Sequence, residues 1–268
     1  MTYKIEELEK FMNYSGPDRV VHWEEYLKEK EKNTGRIERF STGLSELDQS
    51  LDGLCPGEVV VISGLTGNGK TLFAKTLIRN MCLDRISTTC LSYEVMASEF
   101  LRSFKNDKIS EALLYIPIEL KTGAIPWIEE RILEAKVKYN NKIILIDHLH
   151  YIVDMRTDKM TQNIGAAMRQ LKEIAIKHEQ VVLLIAHQEK LKDDKEPGIE
   201  TLRDSSFVGQ EADIVLIVHR IPDAVKKHGV ESTFDLGYAV VKIDKARRSG
   251  VFKKRITFQK RGDWLEPI

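Results

Sequence analysis

"EVVVISGLTGNGKT", residues 58–71, decides the fold. A run of β-branched and apolar residues stops at a glycine, and a lysine and threonine then open a segment with helical spacing. Residues 64–71 satisfy G-x-x-x-x-G-K-[ST] at every fixed position, between a strand pattern and a helix pattern, which is the context that gives the motif its meaning. Gly64, Gly67 and Gly69 let the backbone curl so that successive N–H groups face inward, with Leu65, Thr66 and Asn68 between them. The helix opened by Lys70, Thr71 and Leu72 adds its positive N-terminal end. Lys70 is expected to reach the β- and γ-phosphates, and the Thr71 hydroxyl to ligate Mg²⁺. Residues 64–72 are thus the expected site for ATP and magnesium.

Outward from this loop, the short β-rich runs are 58–63, 87–94, 142–148, 180–188 and 212–220. Several are apolar throughout, as strands covered on both faces should be. Helical spacing fills 70–83, 96–106, 126–139 and 161–178. The alternation predicts an α/β fold with a mostly parallel, helix-covered sheet. Residues 238–247 and 252–260, separated by "RSGV", predict a C-terminal β-hairpin closing one edge. Residues 1–34 differ. They are polar, with two helical patterns broken at "SGPD", and Val20, Trp23, Tyr26 and Leu27 are the apolar positions of the second. They are expected to form a helical appendage to a main domain of residues 35–268, packing either on that domain or on a neighbouring subunit.

The chain has 268 residues and is 42% hydrophobic, enough for a full core. Lys+Arg and Asp+Glu balance at 41 each, so bulk charge points neither to nucleic acid nor to a membrane, and any nucleic-acid contact must be local. Cys55, Cys82 and Cys90 lack metal spacing and read as reduced thiols of a cytoplasmic protein. There is no bilayer-length apolar run, and the N-terminus is too charged for a secretory signal.

"IILIDHLH" (143–150) delivers Asp147 to the end of a strand, where it is expected to hold Mg²⁺ beside Thr71. The residue after Asp147 is His148, so a base for the attacking water has to come from elsewhere on the C-terminal sheet edge. "CLSYE" places Glu94 there. Glu94 is either the residue that polarises the water or an ordinary helix-start glutamate. His148 and His150 share a strand face by period two, and His187 ends another strand. A metal site is conceivable there, but they read rather as satisfied polar histidines, because no carboxylate or cysteine spacing completes a ligand set.

This order of motifs resembles the RecA-like P-loop NTPase core, and more narrowly the DnaB-type replicative helicase ATPase domain. "FSTGLSELDQSLDGL", "LSYEVMASEF", "IILIDHLHYI", "NIGAAMRQLKEIA", "IAHQ", "LRDSSFVGQEAD" and "KIDKARRSG" resemble family segments and keep family order from about residue 40 onward. The resemblance implies that Glu94 is the catalytic glutamate and that Gln188 senses the γ-phosphate. It further implies that Lys245 and Arg247 reach the ATP of a neighbouring subunit, Arg247 as an arginine finger with Arg248 as an extra candidate. The implied activity is a ring-forming, hexameric, ATP-dependent helicase motor moving on single-stranded DNA in replication, with a primase or loader as a further partner. The family's large N-terminal domain has no counterpart in residues 1–34, which suits a bacterial phage or mobile-element system. A RecA/RadA-like recombination ATPase and a KaiC-like signalling ATPase share Lys70, Glu94 and Asp147, so the phosphate site does not choose among the three.

In such rings two loops face the channel. The first, 153–163, carries Arg156 and Lys159, and the second, 189–206, carries Lys190, Lys192, Lys195 and Arg203. These cations are expected to track phosphates of one strand, against the alternative of solvated mixed-charge loops. Between Lys242 and Arg261, nine Lys and Arg face Asp244 alone. Part of that charge is expected to serve a neighbour's phosphates and the rest to be solvated.

Overall fold

The computed structural model describes residues 9, 12–16, 19–34, 38–105, 113–123, 125–153, 160–188, 198–199, 205–220 and 237–268. The chain divides into two compact units, Met1–Glu38 and Arg39–Ile268. In the first, helix α1 (Trp23–Thr34) begins after the break at "SGPD". Trp23, Tyr26 and Leu27 are exposed on it. The earlier predicted helix lies largely outside the described residues.

The second unit is built on one sheet. Its strands are β1 (Val59–Gly64), β2 (Thr88–Ser92), β3 (Leu114–Tyr115), β4 (Ile143–Asp147), β5 (Val181–His187), β6 (Ile214–Arg220), β7 (Tyr238–Ala246), β8 (Lys254–Arg261) and β9 (Trp264–Pro267). Their order is β3-β2-β4-β5-β1-β6-β7-β8-β9. The first six in that order run parallel, and β7, β8 and β9 are antiparallel. The helices are α2 (Ser45–Leu51), α3 (Lys70–Leu83), α4 (Ala97–Lys105), α5 (Ile125–Tyr139), α6 (Met160–His178) and α7 (Ser205–Glu211).

Period-two alternation assigns the strand residues to two cores. Val60 and Ile62 of β1 pack with Leu47 and Leu51 of α2 and with Phe73, Leu77 and Met81 of α3. Val59 and Val61 pack with Ile128 and Ile132 of α5 and with Met168 and Leu171 of α6. β1 is therefore buried along its whole length. Each fully buried large apolar side chain contributes on the order of 2 kcal/mol.

The expected strands and the four longer helices are present, with bounds within two residues of those expected. The hairpin β7–β8 is present too, but it does not close the sheet. β9 lies outside it, joined to β8 by a two-residue turn in which Gly262 has φ 59°. Leu265 of β9 donates its N–H to Thr76 Oγ1 of α3 at 3.0 Å, and Phe258 of β8 meets Phe73 edge-on. The tail charge also differs from expectation: Lys242 is neither solvated nor outward-facing but buried against Asp244 at 2.9 Å.

The segment before β1 is held by polar contacts. Asp48 accepts from Thr42 N, Thr42 Oγ1 and Ser41 Oγ, each at 2.8 Å. Arg248, past the end of β7, donates to the carbonyls of Leu51 (2.6 Å) and Gly53 (2.7 Å) and to Glu58 Oε1 (3.0 Å). Its guanidinium is thus hydrogen-bonded within this unit.

Gly64 closes β1 with φ 152°, and a Cβ there would lie 2.2 Å from the Val218 carbonyl oxygen. Gly64→Ala must push β1 and β6 apart. It is expected to lower unfolding free energy by about 1–3 kcal/mol in urea titration, and an unchanged midpoint would contradict this packing.

Candidate active site

Parallel register brings four chain segments to one sheet edge. Gly64 lies opposite His187 across β1 and β5, and Ser92 lies opposite Asp147 across β2 and β4. The loop after β1 turns through Gly67 and Gly69 at φ 82° and 91°, with open space where their Cβ atoms would be. α3 starts at Lys70, so its first amides point into the same space. The Lys70 amine is almost fully buried and donates to the Leu65 carbonyl at 3.1 Å. Burial lowers its pKa, opposed by the charges of Glu94 and then Asp147.

Asp147 is wholly buried. Its Oδ2 accepts from Thr71 Oγ1 at 3.2 Å, and its Oδ1 has no hydrogen-bond partner. Burial, reinforced by Glu94, raises its carboxyl from 3.8 to about 6, with the Thr71 hydrogen bond pulling the other way. A buried carboxylate oxygen with nothing to bind, beside a threonine hydroxyl, is a donor set of the hard-oxygen kind that suits magnesium. The residues present fit that ion.

Glu94 stands beyond β2, three residues before α4 begins, so it is not in that helix's first turn. The N–H groups of Tyr93 and Glu94 both donate to the Asp147 carbonyl, at 2.6 and 3.1 Å. The exposed Glu94 carboxylate comes within 4.8 Å of ring nitrogens of His148 and His187. The sequence singled out the two histidines but gave no carboxylate to join them. The three residues come from different strand ends, and only the register unites them. His148 and His150 are also not strand neighbours as expected: β4 stops at Asp147, and His150 lies in a 3₁₀ turn, Leu149–Tyr151. Burial, then His187 and His150, push the His148 pKa down to about 3.

Gln188 directly follows β5 and is buried. Its Nε2 donates to the Gly198 carbonyl at 3.2 Å, while Oε1 is buried without a partner. Ile199 N is held by Asp244 Oδ2 at 2.6 Å. Gln188 and Asp244 thus pin the return of the segment that starts beside the phosphate loop. Arg156, Lys159, Lys190, Lys192, Lys195 and Arg203, the expected DNA contacts, lie outside the described residues.

Lys245 and Arg247 are not at this edge. β7 runs against β6, so its end, Ala246, pairs with the start of β6 at Ile214. Arg247 NH1 meets Asp213 Oδ1 at 3.3 Å, its NH2 donates to the Gln210 carbonyl at 2.7 Å, and its side chain is 53% exposed. Lys245 donates to the carbonyls of Gly209 and Gln210 at 2.8 and 3.0 Å. Asp213 organises this corner: its Oδ2 also takes Lys172 at 2.7 Å and Val59 N at 2.8 Å. Val59 is five residues before Gly64, so the two corners are about 16 Å apart along β1. A cavity of about 600 Å³ near β3, lined in part by Tyr115, Trp127 and Arg131, includes none of these residues.

Comparison with known families matches residues 40–105 and 102–264 to the DnaB-like helicase C-terminal domain. The chain is 26% identical over 230 residues to the replicative DNA helicase DnaB of Rickettsia conorii, covering 70% of this chain and 47% of that protein. It is 25% identical over 255 residues to DnaB of Mycoplasma genitalium, covering 81% and 54%. The chain therefore spans about half the length of these curated relatives. Among solved structures, one described as an isolated ATPase domain superposes with a TM-score of 0.76 at 21% identity, covering 93% of this chain and 99% of that one. A DnaB-like replicative helicase, described with its interactions with primase, superposes at 0.73 and 21%, covering 97% and 70%. The fold is therefore RecA-like, with an antiparallel C-terminal hairpin.

Moving the Asp147 carboxyl from 3.8 to about 6 corresponds to about 3 kcal/mol of burial cost in the charged form. Because the folded-state value is raised, the group's contribution is most favourable below pH 3.8 and is lost as pH rises through about 6. Asp147→Asn should therefore stabilise the nucleotide-free protein at pH 7 by up to about that amount, with the gain shrinking between pH 6 and 4. Thermal melts across that range check this; a variant less stable than the parent at pH 7 would contradict it.

Proposed function

Since the chain belongs to the DnaB-like helicase C-terminal domain family, we propose that it is an ATP-driven DNA helicase motor whose hydrolytic site is completed by a second copy. The observation that carries this reading is the separation of its parts. One protomer holds the phosphate loop, Asp147 and Glu94 at one sheet edge, and holds Arg247, half exposed, at the other. Arg247 lies at the far end of β1 from its own loop, about 16 Å along the strand, and so is placed to serve the loop of an adjoining copy instead.

Within one protomer, the amides of residues 64–71 and the Lys70 amine bind the triphosphate of ATP. Magnesium held by Thr71 Oγ1 and Asp147 Oδ1 would offset phosphate charge. Glu94 accepts a hydrogen bond from the attacking water and aims it, and takes its proton as the bond to the γ-phosphorus forms and the bond to the β–γ bridging oxygen breaks, ADP leaving. Two backbone N–H groups on the Asp147 carbonyl fix the Glu94 backbone to the strand that carries the proposed metal ligand, which supports this role. Arg247, aimed by Asp213 and the Gln210 carbonyl, lends positive charge to the neighbour's transition state. Lys245, anchored to the same turn, has its pKa lowered by burial and then by Arg247.

Gln188 links hydrolysis to DNA in this reading. Its amide already grips Gly198, and its free Oε1 can answer a change at the phosphate site. The segment between them carries Lys190, Lys192 and Lys195, and Arg203 follows. Together with Arg156 and Lys159 these are the proposed contacts to single-stranded DNA inside a hexameric ring. A primase or loader is a further proposed partner, and residues 1–34 are proposed as an appendage to the 35–268 motor. Among the described residues no helix is long and apolar enough to cross a membrane.

Glu94→Gln should retain ATP binding and lose at least about 100-fold in turnover, measured by coupled ATPase assay beside nucleotide titration. Near-parental turnover would remove Glu94 from the reaction. Parental turnover should rise on adding single-stranded DNA, and absence of any rise in an assembled sample would contradict the motor reading. Arg247→Ala mixed into parental protein should depress activity beyond its mole fraction, whereas a proportional decline would show that the residue does not act across subunits.

A further inference from the structure

We propose that Glu94, His148 and His187 form a binding site for a divalent transition ion of the zinc class. Each offers one ligand atom, and the three atoms lie within 4.8 Å of one another. The two imidazoles face each other with Nε2 atoms 3.1 Å apart. Nitrogens bound to one tetrahedral zinc at about 2.0–2.1 Å stand about 3.3 Å apart, so the pair needs almost no movement. Two histidines and one glutamate are a catalytic-type zinc set, with the fourth position left to solvent. Of the three, Glu94 is the exposed member.

The surroundings suit the assignment. His148 Nδ1 accepts from the His150 backbone N–H at 3.3 Å, with His150 Nδ1 also 3.3 Å away, so these contacts hold the ring while its other nitrogen faces His187. His148 is held against His150 and Tyr151 by ring contacts, so its direction is set before any ion arrives. The set also discriminates. Thr71 and Asp147 offer only oxygens, which suit magnesium, while the new site offers two nitrogens and suits zinc, cobalt or nickel.

The site exists independently of the hydrolysis reading, but its consequence rests on it. An ion bound here engages the Glu94 carboxylate and withholds it from water, so zinc would stop turnover without displacing ATP. The test is titration of the full nucleotide-free chain with Co²⁺, followed by its visible spectrum, then competition with Zn²⁺. One equivalent should develop the bands of four- or five-coordinate cobalt, and zinc should abolish them. His187→Asn, at a partly buried position, should weaken binding by more than about 100-fold, and Glu94→Gln should weaken it too. His148→Asn adds a second histidine variant, read only where circular dichroism shows it folded. No cobalt spectrum, a spectrum unaffected by His187→Asn, or a thiolate-to-cobalt band would each overturn the proposal. Cobalt bound through these side chains, with parental turnover in Glu94→Gln, would keep the metal site and remove the hydrolysis reading. An inactive Glu94→Gln with no cobalt binding in the parent would do the reverse.

Discussion

Parallel pairing of β2, β4, β5 and β1 is the constraint on which everything else depends. It carries no catalytic group of its own, yet it sets which strand ends meet. Ser92 beside Asp147 and Gly64 beside His187 bring a glutamate, an aspartate, a lysine and two histidines to one edge. A one-residue slip in any of these pairings would turn each side chain to the opposite face. The apolar alternation of β1 into two separate cores makes such a slip costly, and so the buried Val and Ile residues hold the chemistry in place.

The same register explains why two clusters of charge do different work. At the edge that carries the glycine-rich loop, Asp147 is buried with one oxygen unsatisfied. At the opposite edge Asp213 is fully engaged by Lys172, Val59 N and Arg247. One carboxylate keeps an oxygen without a hydrogen-bond partner, the one proposed to hold magnesium. The other uses its charge to aim a guanidinium outward. Arg248, next in sequence, shows the contrast: three inward hydrogen bonds make it part of the scaffold.

Much of this was legible in the sequence. The glycine-lysine loop, the apolar strands and the long amphipathic helices carry local signals. β3, α2 and α7 do not, being two to seven residues long and held by tertiary contacts. β9 could have been found, because Gly262 and Asp263 between two strand-like runs are a hairpin signal. That Glu94 joins His148 and His187 was not legible, since the three are far apart in sequence and only the strand register unites them. The roles of Asp213 and Gln210 were equally hidden: the "QEAD" stretch reads as a family mark, and only the folded chain shows a carbonyl and a carboxylate steering Arg247.

The central claim is that one protomer carries an incomplete hydrolytic site. Turnover per protomer, followed by dilution while assembled mass is tracked with ATP and Mg²⁺ present, tests it most directly. The account predicts that specific activity falls with the assembled fraction, while nucleotide binding by the dilute monomer persists. Constant turnover per chain in a monomeric sample would contradict it.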